Sequence, residues 1–212
     1  MRMLTIAAFA LALTGCATAV YDSLERRGVD AKMILVERTG DFRSDALAAR
    51  SAIEKTDAAL AAIDGLDGAA LARRIDGARA DGASAALAAQ DYRLSADSMM
   101  AASARYFSAR EEELALMKTS EESLRAAQAD LDASKAAYRA LLSAHDSSIL
   151  RLSAALSLFD AEVAALRRSP TSGAGASARI SERDAARASA KEASIGLAAT
   201  IAAADAYVGA LN

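Results

Sequence analysis

The chain has one cysteine, Cys16, and one histidine, His145, so thiol or imidazole chemistry must start from them, and a metal site from them or from carboxylates. A cysteine thiolate can attack carbon or hold a soft metal. A histidine can act as a general base only with a partner that orients it. Asp146 follows His145 directly, and neighbours in sequence do not share a helix face, so the pair is not a dyad. The run "REEELAL", Arg110 to Leu116, gathers three glutamates, which reads as a solvated helix face. No glycine-rich phosphate loop, serine-centred elbow or zinc-ligand spacing is present. These residues predict no catalytic group, no cofactor and no metal site, and His145 reads as a buried polar register position.

The setting of Cys16 is more informative. Arg2 provides a short positive segment, Met3 to Leu13 is an apolar run, and small residues lead to the cysteine. This is the pattern of a secretory leader. The run is shorter than the roughly 20 residues a transmembrane helix needs. Leu13-Thr14-Gly15-Cys16 resembles the bacterial lipobox. That resemblance implies acylation of Cys16 through a thioether and cleavage just before it. Residues 1–15 then form a signal peptide, 16–21 an acylated cysteine and tether, and 22–212 a single helical domain. One acyl chain binds a membrane marginally, whereas two or three hold firmly at about 0.8 kcal/mol per buried CH₂. Ala17 is not the aspartate that retains many lipoproteins in the inner membrane, which implies the outer membrane, facing the periplasm.

Alanine dominates the composition, aromatic residues are 4%, and Pro170 is the sole proline. Alanine is the best helix former, so the expected fold is all-α. The net charge of −3 is spread over interspersed acidic and basic residues, without the basic stripe a nucleic-acid surface requires. Arg26-Arg27, Arg73-Arg74 and Arg167-Arg168 read as ordinary surface.

Helix punctuation divides the domain. Asp22-Ser23 can cap a first helix of about 42 residues, roughly 60 Å long, with a seam through Leu35, Phe42, Ile53, Leu60 and Ile63. Gly40 marks a possible bend. "IDGLDGAAL" holds two Asp-Gly pairs and predicts a turn at 64–68. A second helix runs from Ala69 through Leu71, Ile75, Leu87 and Leu94 towards Glu113. An unbroken helix from there to Arg168 would lack partners, so a reversal is placed at 117–120, where Thr119 and Glu122 resemble a capping box. A bend at Met99-Met100 is the alternative. Beyond it a heptad row runs Met117, Leu124, Leu131, Tyr138, His145, Leu152, Phe159 and Leu166. Its expected companion is Leu114, Glu121, Gln128, Lys135, Leu142, Ile149, Leu156 and Val163. "RRSPTSGAGAS" predicts a third turn at 168–176, and a last helix follows with Ile180, Leu197, Ile201, Ala204, Val208 and Leu211 on one face. The predicted architecture is an elongated antiparallel bundle of four long helices with coiled-coil-like seams.

"YDSLERRGVDAKMILVERTGDFRSD", Tyr21 to Asp45, together with "YFSAREEELA" and "ASIGLAATIAAADAYVGAL", resembles a family of bacterial helical lipoproteins known as domain of unknown function 2959. The resemblance implies a coiled-coil-like helical protein and carries no assigned activity. The expected role is structural or interactive, with an envelope protein or a second copy as partner. The alternative is a helical module that binds a lipid or small apolar ligand.

Overall fold

The computed structural model describes residues 30–168 and 179–212. Four helices occupy nearly all of them: α1 (Ala31–Ala61), α2 (Gly68–Leu116), α3 (Glu121–Arg168) and α4 (Ile180–Ala210). Each packs on its neighbour in sequence, and α1 packs on α4, which closes a square of helices. Cross-helix bonds run in opposite chain directions between α1 and α4 and between α3 and α4. Arg43 bonds Asp205 while Arg187 bonds Asp57, and Ser134 bonds Ala210 while Arg179 bonds Glu162. The bundle is antiparallel throughout, as the turns predicted.

Asp30 begins α1 in an extended conformation, and its carboxylate accepts the Lys32 amide at 2.9 Å. That cap shortens the first helix to 31 residues, about 46 Å, rather than 42. The expected cap at Asp22-Ser23 lies outside the described residues. Gly40 does not interrupt α1. The first turn falls where the Asp-Gly pairs put it: Gly65 and Gly68 take φ of 74° and 49°, which only glycine adopts readily. The second reversal also falls as predicted, and α2 runs unbroken through Met99-Met100. Its cap is shifted by one residue, since Ser120 rather than Thr119 accepts an amide, that of Ser123 at 3.3 Å. Most of the third turn lies outside the described residues.

The seams show where side-chain size misled the reading. On α2, Leu71 and Ile75 are buried, but Leu87 and Leu94 stand outside. The inner rows of that helix are Leu71, Ala78, Ala85, Tyr92, Met99 and, interleaved, Ile75, Gly82, Ala89, Ala96, Ser103. Each row repeats every seven residues, the spacing of knobs-into-holes packing, but small residues fill it. At Gly82 an added Cβ would lie 2.5 Å from the Phe159 ring, so α2 and α3 meet there through the absence of a side chain. On α3 the row from Leu131 to Leu166 is buried or half-buried as expected, whereas Leu124 is partly exposed. Its deepest companion is Leu141, Ser148, Ala155 and Glu162, not the predicted row one residue later. Leu142, Ile149 and Leu156 flank the core half-buried, because α3 faces both α2 and α4 and needs a stripe wider than two rows. On α4, Tyr207 takes the inner place expected of Val208, and Ile180 is exposed.

Helices α2 and α3 are longer than α1 and α4. Among the described residues, the hairpin from about 107 to 131 extends past the start of α1 and the end of α4. Helix α4 is long and apolar enough by length and composition to cross a membrane. Here it is a bundle helix, tied to the first half of the fold by Arg183 to Asp64 and Arg187 to Asp57.

Candidate functional site

Cys16 and the residues before it, Leu13, Thr14 and Gly15, lie outside the described residues. Among those described, two buried polar constellations stand out, one at mid-bundle and one near the first turn.

The first is built on His145 of α3. Seven-residue spacing sets it inside, on a level with Phe42 of α1 and Tyr92 of α2. Its Nδ1 shares a hydrogen bond of 2.8 Å with the Tyr92 hydroxyl. Phe42 stacks on Tyr92 at 5.3 Å between centroids and presents an edge contact to His145 at 5.6 Å. One turn on, Ser148 of α3 and Thr200 of α4 share a bond of 2.7 Å, and both hydroxyls lie close enough to Tyr92 to ease its ionisation. Burial outweighs them and pushes the phenol up to about 12, so it stays protonated. Burial likewise holds His145 below its ordinary 6.5, helped by Arg93 and opposed by Asp146 and Asp97. All four helices thus contribute to one layer that is polar inside and matched in its bonding. Such a layer fixes register, because sliding α2, α3 or α4 by one turn separates a buried hydrogen-bonded pair, and sliding α1 takes Phe42 off both rings.

The sign of the pH effect follows. Above about pH 6.5 His145 is neutral folded or unfolded and contributes nothing to pH dependence. Below that value the unfolded chain takes up a proton that the folded core resists, so stability falls as pH drops. Thermal unfolding of the wild type should therefore move to lower temperature between about pH 6.5 and about pH 5. His145→Gln should flatten this slope while keeping a polar partner for Tyr92. Equal slopes in the two proteins would refute the assignment.

The second constellation is charged. Glu162 of α3 is almost fully buried, and its Oε2 accepts two bonds from Arg179, at 3.0 and 2.6 Å. Its Oε1 has no hydrogen-bond partner and lies 3.9 Å from Arg183 Nη1. Arg183, buried on α4, donates to Asp64 in the first turn at 2.8 and 3.1 Å. These ionic bonds join that turn to α3 and α4. Neither Glu162 nor Arg183 was singled out from sequence, although both fall on inner heptad rows, where a charge is informative. Tyr92 was missed in the same way.

The other candidates scatter. Glu111 and Glu113 are exposed and pair with Lys135 and Arg110. Arg73, Arg74, Arg167 and Arg168 are exposed. Met99 is buried and Met100 half-buried. Tyr106, Phe107, Tyr138 and Tyr207 form a chain of ring contacts 5.5 Å apart. A cavity of about 400 Å³ lies where α1 begins and α4 ends, lined by Asp30, Tyr106, Arg110, Glu113 and Asp130. Among the described residues no group of three His, Cys, Asp or Glu could hold a metal ion.

The arrangement sets register and closes the bundle; it does not bring a nucleophile, a base and an open cleft together. No family model, no curated protein and no solved structure matches the chain.

Proposed function

We propose that the chain is a lipoprotein of the bacterial cell envelope, held by acylated Cys16 to the outer membrane and facing the periplasm, with a structural or protein-interaction role. The leader and Leu13-Thr14-Gly15-Cys16 support the anchor, and the resemblance to the domain of unknown function 2959 family agrees with it. One observation carries the interaction reading. The inner layers are filled by the chain's own side chains, while large apolar residues such as Leu87, Leu94, Leu150 and Ile195 stand on the outside. Isolated exposed leucines are ordinary, but here several stand outside on α2, α3 and α4 while alanines hold many of the inner positions. The alternative, a module holding lipid between its helices, needs interior space. At Gly82 the Phe159 ring already fills it, and the cavity at the base of the hairpin is lined mostly by polar and charged groups. The reading assigns no catalytic residue, no cofactor and no nucleic-acid partner.

The test is fractionation of cells expressing the wild type and Cys16→Ala, with mass spectrometry of the mature N-terminus. Wild type should carry acyl chains on Cys16 and sediment with outer membrane, and the variant should not. An unacylated, soluble wild type would overturn the proposal.

A further inference from the structure

Helix α4 has two seams. The inner one packs on α1 and α3. On the opposite side Ala188, Glu192, Ile195, Ala199, Ala202, Ala206 and Gly209 recur at alternating steps of four and three, and all are exposed, Ile195 by 65%. The solvent face of a bundle helix ordinarily carries charge. Beyond Glu192 this one has a single charged residue, Asp205. A heptad repeat is the spacing that packs one helix on another, and here it faces water.

We infer that this face of α4 binds the same face of a second copy, the two helices antiparallel about a twofold axis near Ala198 and Ala199. The inference names a partner for the interaction reading above and does not depend on the anchor. Charge selects the arrangement. In a parallel pair each residue meets its own copy, which sets Glu192 against Glu192 at the seam. In the antiparallel pair with Ala199 opposite Ala199, Glu192 lies over Ala206 of the second copy, and Ile195 lies between Ala202 and Ala206 at the level of Ala203, large against small. Lys191 then falls on the same flank as Asp205 of the second copy, two residues or about 3 Å away along the axis and within side-chain reach, and symmetry makes this pair twice. Lys191 makes no ion pair among the described residues, and Arg43 holds only one oxygen of Asp205. A slide of one heptad in one direction brings Asp184 against Asp205. A slide in the other carries Lys191 opposite Asn212 and leaves no opposite charges together. Of these registers, only the one centred at Ala198 and Ala199 matches both size and charge, along a seam of about 35 Å.

The experiment uses the full chain carrying Cys16→Ala, which removes both the acyl group and the native thiol. Sedimentation velocity over a range of concentrations should show a monomer–dimer equilibrium. Ala199→Glu, which sets like charges across the axis, should raise the dimer Kd by about tenfold or more. Ala80→Glu, the same charge on the outside of α2, should leave it unchanged. In the same background Ala199→Cys should oxidise to a disulfide-linked dimer, because the axis brings the two copies of that position within bonding range. Ala80→Cys should not. A chain that stays monomeric at all concentrations overturns the inference, as does a dimer that ignores Ala199→Glu or cross-links equally at both cysteines. Either result leaves the anchored reading untouched, since that rests on the fractionation of Cys16→Ala.

Discussion

Phe42→Ala should lower the free energy of unfolding by about 3 to 5 kcal/mol, the range for truncating a fully buried aromatic side chain. Phe42 is fully buried and lies in the one layer where all four helices place polar or aromatic groups on each other. Collapse into the vacated space is opposed from two directions. Tyr92 and His145 are fixed by their shared bond, and the Ser148–Thr200 bond holds α3 to α4 one turn away. Water entering the gap would also rehydrate His145 and weaken the burial that keeps its pKa low, so the variant should lose part of the wild type's acid sensitivity. Urea titration measures the loss, with Leu150→Ala as the exposed comparison expected within about 0.5 kcal/mol of wild type. A loss below about 1 kcal/mol in Phe42→Ala would show that the layer repacks freely and is no register device.

Arg183→Met should cost about 3 kcal/mol, because it leaves the Glu162 carboxylate buried with Arg179 as its remaining guanidinium. The loss extends to the first turn, where Asp64 gives up both of its bonds from Arg183. Exposed ion pairs such as Arg125 to Glu121 contribute far less, and salt screens them. Glu162→Met together with Arg183→Met should cost less than the sum of the two single changes, since no buried charge is then left unmatched, and Arg179 and Asp64, which lose their partners, both reach water. A double-mutant cycle measures this coupling, and strict additivity would mean that the 3.9 Å approach contributes nothing.

Where large apolar residues marked an inner row, the fold was legible in advance. Leu35, Phe42, Ile53, Leu60 and Ile63 on α1 are buried as their spacing required, and the Asp-Gly pairs set the first turn. Legibility failed where small residues did the packing. Leucine at 87 and 94 outweighed alanine at 85 and 89 in the reading, yet the alanines are inside, because a helix can come close only over a short side chain. The same bias put the second row of α3 on Ile149 and Leu156 rather than on Ser148 and Ala155. His145 was legible as a buried seam position. Its partner Tyr92 was not, since the bond joins helices 53 residues apart in sequence. Glu162 and Arg183 were hidden by the expectation that charge lies outside, which holds only for charge without a partner.

Much of the interior of α2 and α4 is alanine, glycine and hydroxyl groups rather than leucine. Unfolding such a core exposes less hydrocarbon per residue than an ordinary one, and exposed hydrocarbon is what makes the heat capacity rise on unfolding. The free energy of folding should therefore bend less with temperature, giving a low, broad stability curve that changes little across the physiological range.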